Sequence, residues 1–340
     1  MQRSTVLIIV ALLAAVVAGW SLVWSAAARK TGAVLDAWIE NESQLGRNWT
    51  CANRHIGGYP LDIELSCADS QFRGEVLGGN FAGSLGGFHA LATVLQPDRI
   101  RLRLEPPFAG TTPDGDIDLR IEWSALNVAI EGRPNALTRL SIDGAQLTVT
   151  GSAGDLGAID ARAQSAQATV APAPANGEAA LDFRIAVNAA VIPSLAQPLG
   201  LDAPLDAMFA GAIYRADIAG VGKLAERIER WRAGGGRLEL KTAQLTSGAA
   251  KISASGILDV DEWHRPRGKL DAAFEGMNPI LGRLGVDPQI LAASSLLTRF
   301  LHNAPGKGDG PETTRLPLRL GDGFLSIGPI RTPVRLSPLY

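Results

Sequence analysis

RIRLRLEPPFAGTTPDGDIDLRIEW, residues 99–123, decides the fold class. Ile100, Leu102 and Leu104 alternate with Arg99, Arg101, Arg103 and Glu105. Ile117, Leu119, Ile121 and Trp123 alternate with Asp116, Asp118, Arg120 and Glu122. Successive strand side chains point to opposite faces, so each run carries one apolar and one charged face. Pro106-Pro107 and the Thr-Thr-Pro-Asp-Gly stretch between the runs read as the turn region of an antiparallel pair. The implied structure is antiparallel sheet with one wet face and one apolar face. Arg99, Arg101 and Arg103 suit either an anionic surface such as lipid headgroups or, as favoured here, a solvated face paired with Asp116, Asp118 and Glu122.

The same pattern continues outward. Residues 137–151 read as strands around an Asp143-Gly144 turn, and 159–172 as a weaker, alanine-rich strand. VAPAPANGE, residues 170–178, is the best boundary. Beyond it Leu181, Phe183, Ile185 and Val187 share one face of a strand over 180–189. Residues 237–276 form a three- or four-strand meander, and 315–330 a closing hairpin. Helical spacing appears over 31–45, 219–233 and 287–303, with short helical or turn segments near 193–206 and a loop over 304–314. The expected class is mostly β or α+β, with an N-terminal transmembrane helix, then curved antiparallel sheets under a few covering amphipathic helices. Three regions follow: 1–30, anchor or signal segment; 31–172, first β-rich region; 173–340, second β-rich region with amphipathic helices.

The start of the chain bears on location. TVLIIVALLAAVVAGWSLVW, Thr5 to Trp24, contains no charge. At about 1.5 Å per residue it spans roughly 30 Å, the hydrocarbon core of a bilayer. Trp20 and Trp24 stand at its C-terminal end, where indole rings favour the interface. The run reads as an uncleaved single-pass anchor. The competitors are a cleaved signal peptide ending at Ala28 and a buried core helix; a signal's apolar region is usually shorter, about 7–15 residues. Either of the first two readings exports the rest of the chain, which implies the inner membrane and the periplasm.

Cys51 and Cys67 are the only cysteines. In an oxidising compartment a hairpin turning at Gly58-Tyr59-Pro60 places them opposite each other, as a structural disulfide. Closing that loop contributes about 3 kcal/mol in the entropic model. Free thiols or a redox or metal pair are the alternatives. The C-x-x-C redox pattern is absent, and His55 adds too few ligands for zinc.

Little else points to chemistry. The four histidines, at 55, 89, 264 and 302, have no helical metal spacing. No nucleophile elbow, P-loop or dinucleotide fingerprint occurs, and the glycine-rich VLGGNFAGSLGGF (76–88) reads as turns and bulges. A net charge of −2 argues against nucleic acid as a partner. No cofactor, metal or catalytic residue is expected.

WTCANRHIGGYPLDIELSC (49–67) resembles the N-terminal motif of an uncharacterised alphaproteobacterial envelope family with a domain of unknown function: membrane segment, Cys, Gly-Tyr/Phe-Pro, Cys. LPLRLGDGFLSIGPI (316–330) resembles that family's closing motif. Leu61 departs from it, standing where the motif has Phe. The resemblance implies architecture and location only. Residues 235–276 are similar to the β-meanders of AsmA-like envelope proteins, which implies a curved sheet with an apolar groove for lipid chains.

The expected function is therefore a non-enzymatic, membrane-anchored periplasmic β-protein whose apolar sheet face holds or passes lipid. The face is marked by Ile100, Leu102, Leu104, Ile117, Leu119, Ile121, Phe183 and Ile185. A scaffold with the same strands packed shut is the alternative, and an unrecognised hydrolase the third reading. The membrane, and lipid, are the expected partners; no protein partner is indicated.

Overall fold

The computed structural model describes residues 2–76, 79–133, 136–154, 157–173, 179–216, 224–277 and 313–340. It begins with one helix, α1 (Gln2–Gln44), 43 residues long. An anchor followed by a separate helix over 31–45 is the sequence expectation; the two are continuous instead. The joining stretch SAAARKTGAVLDAW contains no proline and is rich in alanine, the best helix former, so nothing interrupts the first span. At about 1.5 Å per residue α1 is roughly 65 Å long, twice the thickness of a bilayer core. Gly46, at φ 77°, supplies the left-handed residue just past its end.

After α1 the chain is strand upon strand. The first region holds β1 (Asn48–Gly57), β2 (Asp62–Val76), β3 (Gly79–Thr93), β4 (Gln96–Thr111), β5 (Ile117–Glu122), β6 (Ala125–Arg133), β7 (Ala136–Ala153) and β8 (Ala158–Pro172). The second holds β9 (Ala180–Ala190), the short helix α2 (Pro193–Leu199), β10 (Leu205–Tyr214) and helix α3 (Leu224–Ala233). It ends in β11 (Arg237–Ser247), β12 (Ala250–Val260), β13 (Pro266–Glu275), β14 (Thr313–Gly321), β15 (Phe324–Ile327) and β16 (Ile330–Arg335). All belong to one sheet, 16-stranded among the described residues, rather than to several. The 172/173 division falls between β8 and β9, which are hydrogen-bonded neighbours.

The topology is a meander, each strand pairing antiparallel with its sequence neighbours. The one irregularity is local. β5 and β6 share a single lane against β7, with Ile121 opposite Val149 and Val128 opposite Ile142. On their other side, β4 pairs β6 through Arg99–Arg103 and β5 through Phe108–Thr111. Pro106 and Pro107 lie between the two stretches, where a residue lacking an N–H costs no ladder bond. This register corrects the expected charge pairing. Arg99 faces Glu131 across the sheet, whereas Asp118 faces Thr111. Arg120 pairs instead with Glu122 on its own strand, at 2.9 Å.

The glycine-rich stretch belongs largely to β3, a 15-residue strand, with a bulge-like register shift between Leu85 and Gly87. Its glycines mark close backbone approach. A Cβ on Gly86 would stand 2.3 Å from the Pro106 carbonyl oxygen, and one on Gly87 2.6 Å from that of Cys67. β10, LDAMFAGAIY, has small residues on both faces, Ala207 and Gly211 on the inner one and Ala210 and Ala212 on the other, so its alternation is faint in the sequence. α2 begins at Pro193, within the segment expected to be helical or turn. α3 matches the described part of the 219–233 helix, and Trp231 pins it by donating from Nε1 to the Tyr214 carbonyl at 2.8 Å. The helix expected over 287–303 lies outside the described residues.

One buried cluster forms in the second region: Ala272, Phe274, Met277, Leu316 and Ile327. Leu199 and Leu201, at the end of α2 and just beyond it, pack against it. Of the described buried apolar residues, only Cys67 and Trp123 precede residue 180.

Candidate functional site

One row of register partners crosses the sheet. It runs Ile56, Leu65, Ala90, Leu102 and Val128 from β1 to β6. It continues through Ile142, Ala168, Ile185 and Phe209 to β10, then Ala243, Ala254, Ala272 and Leu316 to β14. Every member is apolar. The adjacent row points to the other face and begins His55, Ser66, His89, Arg103, Asn127 and Asp143. The sheet therefore has a single inner apolar face. With strands about 4.8 Å apart, the row is roughly 55–60 Å long.

Under α1 this face opens into a cavity of about 1000 Å³. Its floor includes Leu102, Leu104, Phe108, Ile121 and Trp123, and its roof Leu35, Trp38 and Ile39 of α1. Trp123 is held by its indole N–H, which donates to the Leu104 carbonyl at 2.9 Å. Trp38, Trp49 and Phe72 close one side, with ring centroids 5.5 and 4.6 Å apart in succession. Polar groups sit at the margin. Arg47 donates two hydrogen bonds to Glu42, 2.6 and 2.7 Å long, and this clamp holds the Glu42 carboxyl below its ordinary range. Arg227 lines both this cavity and a second one of about 450 Å³ beside Trp231 and Leu258, so the two adjoin at that residue.

Leu102, Leu104 and Ile121 thus line the cavity. Ile100 shares their strand nearer the β3–β4 turn and is exposed. Ile117 and Leu119 are half-buried farther along β5, outside the lining. Phe183 is half-buried and Ile185 exposed on β9, on the same inner face. Sequence reasoning missed the roof residues Leu35, Trp38 and Ile39 as part of a site, although their helical spacing marked them as one face. It also missed Phe88 and Phe108, hidden among glycines and prolines.

Cys51 and Cys67 form a disulfide, with Cα atoms 5.6 Å apart. They are not direct ladder partners: Cys51 faces Ser70. Register shifts between Cys51 and His55 form a bulge that brings Cys67 across. Cys67 is 3% exposed and accepts a hydrogen bond from the Ser70 hydroxyl at 3.2 Å.

Two sets of contacts tie α1 to the hairpin. Near its middle, Trp20 Nε1 donates to the Pro60 carbonyl and Trp24 Nε1 to that of Asp62, both at 2.7 Å. The Ser21 and Tyr59 hydroxyls are 2.9 Å apart, and Trp24 meets Tyr59 edge to face. Near its end Arg54 pairs with Asp36. The family model described as an uncharacterized protein conserved in bacteria (DUF2125) matches residues 24–334. The chain belongs to that family. No curated protein and no solved structure matches it. The family match begins at Trp24, so it takes in the disulfide hairpin, the cavity and the closing strands, and leaves out most of the uncharged run. That run lies in a helix long and apolar enough to cross a membrane. No group of three or more His, Cys, Asp or Glu side chains suited to a metal occurs among the described residues.

Proposed function

We propose that this is a single-pass inner-membrane protein whose sheet lies in the periplasm and binds lipid acyl chains, passing them along its inner face, without catalysing a reaction. The observation that carries the reading is the unbroken apolar row that widens, under α1, into the cavity of about 1000 Å³. This volume is at the upper end of ligand pockets generally, about 300–1,000 Å³. Each methylene removed from water contributes about 0.8 kcal/mol, so a chain of about 16 carbons gains on the order of 10 kcal/mol before ordering costs. The lining is mostly apolar, and its Arg47 and Glu42 are spent on each other. The Cys51–Cys67 bridge favours an oxidising compartment.

The test is mass spectrometry of lipids retained by detergent-extracted full chain after exhaustive detergent exchange. Phospholipid or free fatty chains are expected with the natural sequence. Leu104→Glu should remove them while circular dichroism stays that of the folded sheet, because Leu104 is half-buried beside open space rather than sealed. The packed cluster around Phe274 supports a second reading, a closed scaffold without cargo. Absence of retained lipid, together with aggregation of Leu104→Glu, would favour that scaffold.

A further inference from the structure

The hairpin contacts set the depth of the sheet, not only its attachment. α1 climbs from Trp24 to Gln44, about 30 Å at 1.5 Å per residue. β1 then returns beside it from Asn48, and about 12 extended residues to Pro60 reach up to roughly 40 Å. The return path is long enough to bring the β1–β2 turn back to the start of the climb. It arrives there: the turn's carbonyls at Pro60 and Asp62 receive the indole N–H groups of Trp20 and Trp24, the residues that end the uncharged run. The neighbouring β3–β4 turn is tied to the same level, since the Val94 amide donates to the Leu61 carbonyl at 2.9 Å. What the two turns present outward is apolar. Leu61 is 54% exposed, Leu95 69% and Tyr59 50%.

We infer that these two turns form a lip seated in the outer interface of the bilayer that α1 crosses. The inference rests on α1 as a membrane span and not on the cargo. Indole and phenol rings favour that interface, and exposed leucines beside them gain by leaving water. Charge alone does not explain the seating: Arg99 and Arg101 lie exposed close by on β4, but Asp98 and Glu131 offset them on neighbouring positions. The lip places the Ile100 end of the inner face at the membrane, so the apolar row begins where acyl chains are available.

The test uses the full chain carrying p-benzoylphenylalanine at Leu61, Leu95 or Val191, in vesicles of phosphatidylethanolamine and phosphatidylglycerol. Val191 is an exposed apolar control after β9, toward the opposite ends of the strands. Irradiation should give phospholipid adducts at 61 and 95 and only background at 191. The adducts should persist in a Leu104→Glu background, because bilayer rather than cargo supplies them. Adducts at 61 and 95 no greater than at 191, in protein that resists carbonate extraction, overturn the lip and leave the anchor standing. Adducts lost in the Leu104→Glu background overturn it too, assigning the lipid to the cavity. Release of the chain by carbonate removes the anchor, and the lip with it.

Discussion

The two ends of this sheet share one alternating pattern and differ in what covers it. Around β2–β7 the inner face carries Leu102, Leu104, Phe108 and Ile121, roofed by α1 across a cavity. Around β12–β15 it carries small residues, Ala254 and Ala272, between large ones, Phe274, Leu316 and Ile327, and Ala272 and the three large ones are buried together. Alternating small and large side chains let facing parts approach until no space is left. Around β2–β7 the inner face lies under a helix held in place by Trp20, Trp24 and Asp36 elsewhere along its length, and a void is left. Burial pattern within a strand does not decide between an open and a closed face; the partner surface does.

Paired truncations test this difference most strongly. Phe274→Ala, at a residue 4% exposed within the packed cluster, should cost about 3–5 kcal/mol by denaturant titration of the full chain in detergent. Phe108→Ala should cost about 1–2 kcal/mol, the loss of partial burial alone, because its surroundings already contain the space a truncation creates. Equal costs would mean that the first region is as tightly packed as the second.

The disulfide gives the next effect. Replacing Cys51 and Cys67 together with serine should lower stability by about 2–5 kcal/mol. The loss should be concentrated on the cavity side, since Cys51 lines the cavity and the bridge joins β1 to β2 beneath α1. Hydrogen exchange would report it as faster opening of residues 48–76 with β12–β14 unchanged. Uniform acceleration through both ends would show the sheet opening as one unit and erase the contrast.

Much of this architecture is legible in the residues. The alternation over 99–105 and 116–122 states both strand and face, and the two cysteines flanking Gly-Tyr-Pro state the bridge. Their pairing register is not legible, because the bulge at Cys51–His55 depends on how β2 also meets β3. β3 and β10 are hard to read because glycine and alanine weaken periodicity, yet Gly86, Gly87 and Gly211 admit a neighbouring backbone. The cavity is a property of two distant segments, α1 and β2–β7, so no local pattern contains it. The continuous row from Ile56 to Leu316 likewise appears only when every register is known.

The smallest effect concerns what holds α3 over the far side. Glu229 accepts from Arg232 at 2.6 and 2.8 Å and from the Tyr340 hydroxyl at 2.8 Å. His264 lies 3.5 Å from the same carboxylate and stacks on Tyr340, with centroids 4.4 Å apart. Arg232, then Tyr340, hold the Glu229 carboxyl down at about 2. Burial, reinforced by Glu229, pushes the Tyr340 phenol up to about 12. A depressed carboxyl contributes stability that is present above its ordinary 4.5 and lost as pH falls toward 2. A raised phenol contributes stability that is present below its ordinary 10 and lost as pH rises toward 12. Trp231, on the same helix, should therefore report a flat plateau between these limits, with an acid and an alkaline limb. Tyr340→Phe should remove the alkaline limb and keep the acid one, whereas Glu229→Gln should abolish the acid limb and flatten the alkaline one. An alkaline limb that survives unchanged in Tyr340→Phe would show that the phenol does not hold the helix.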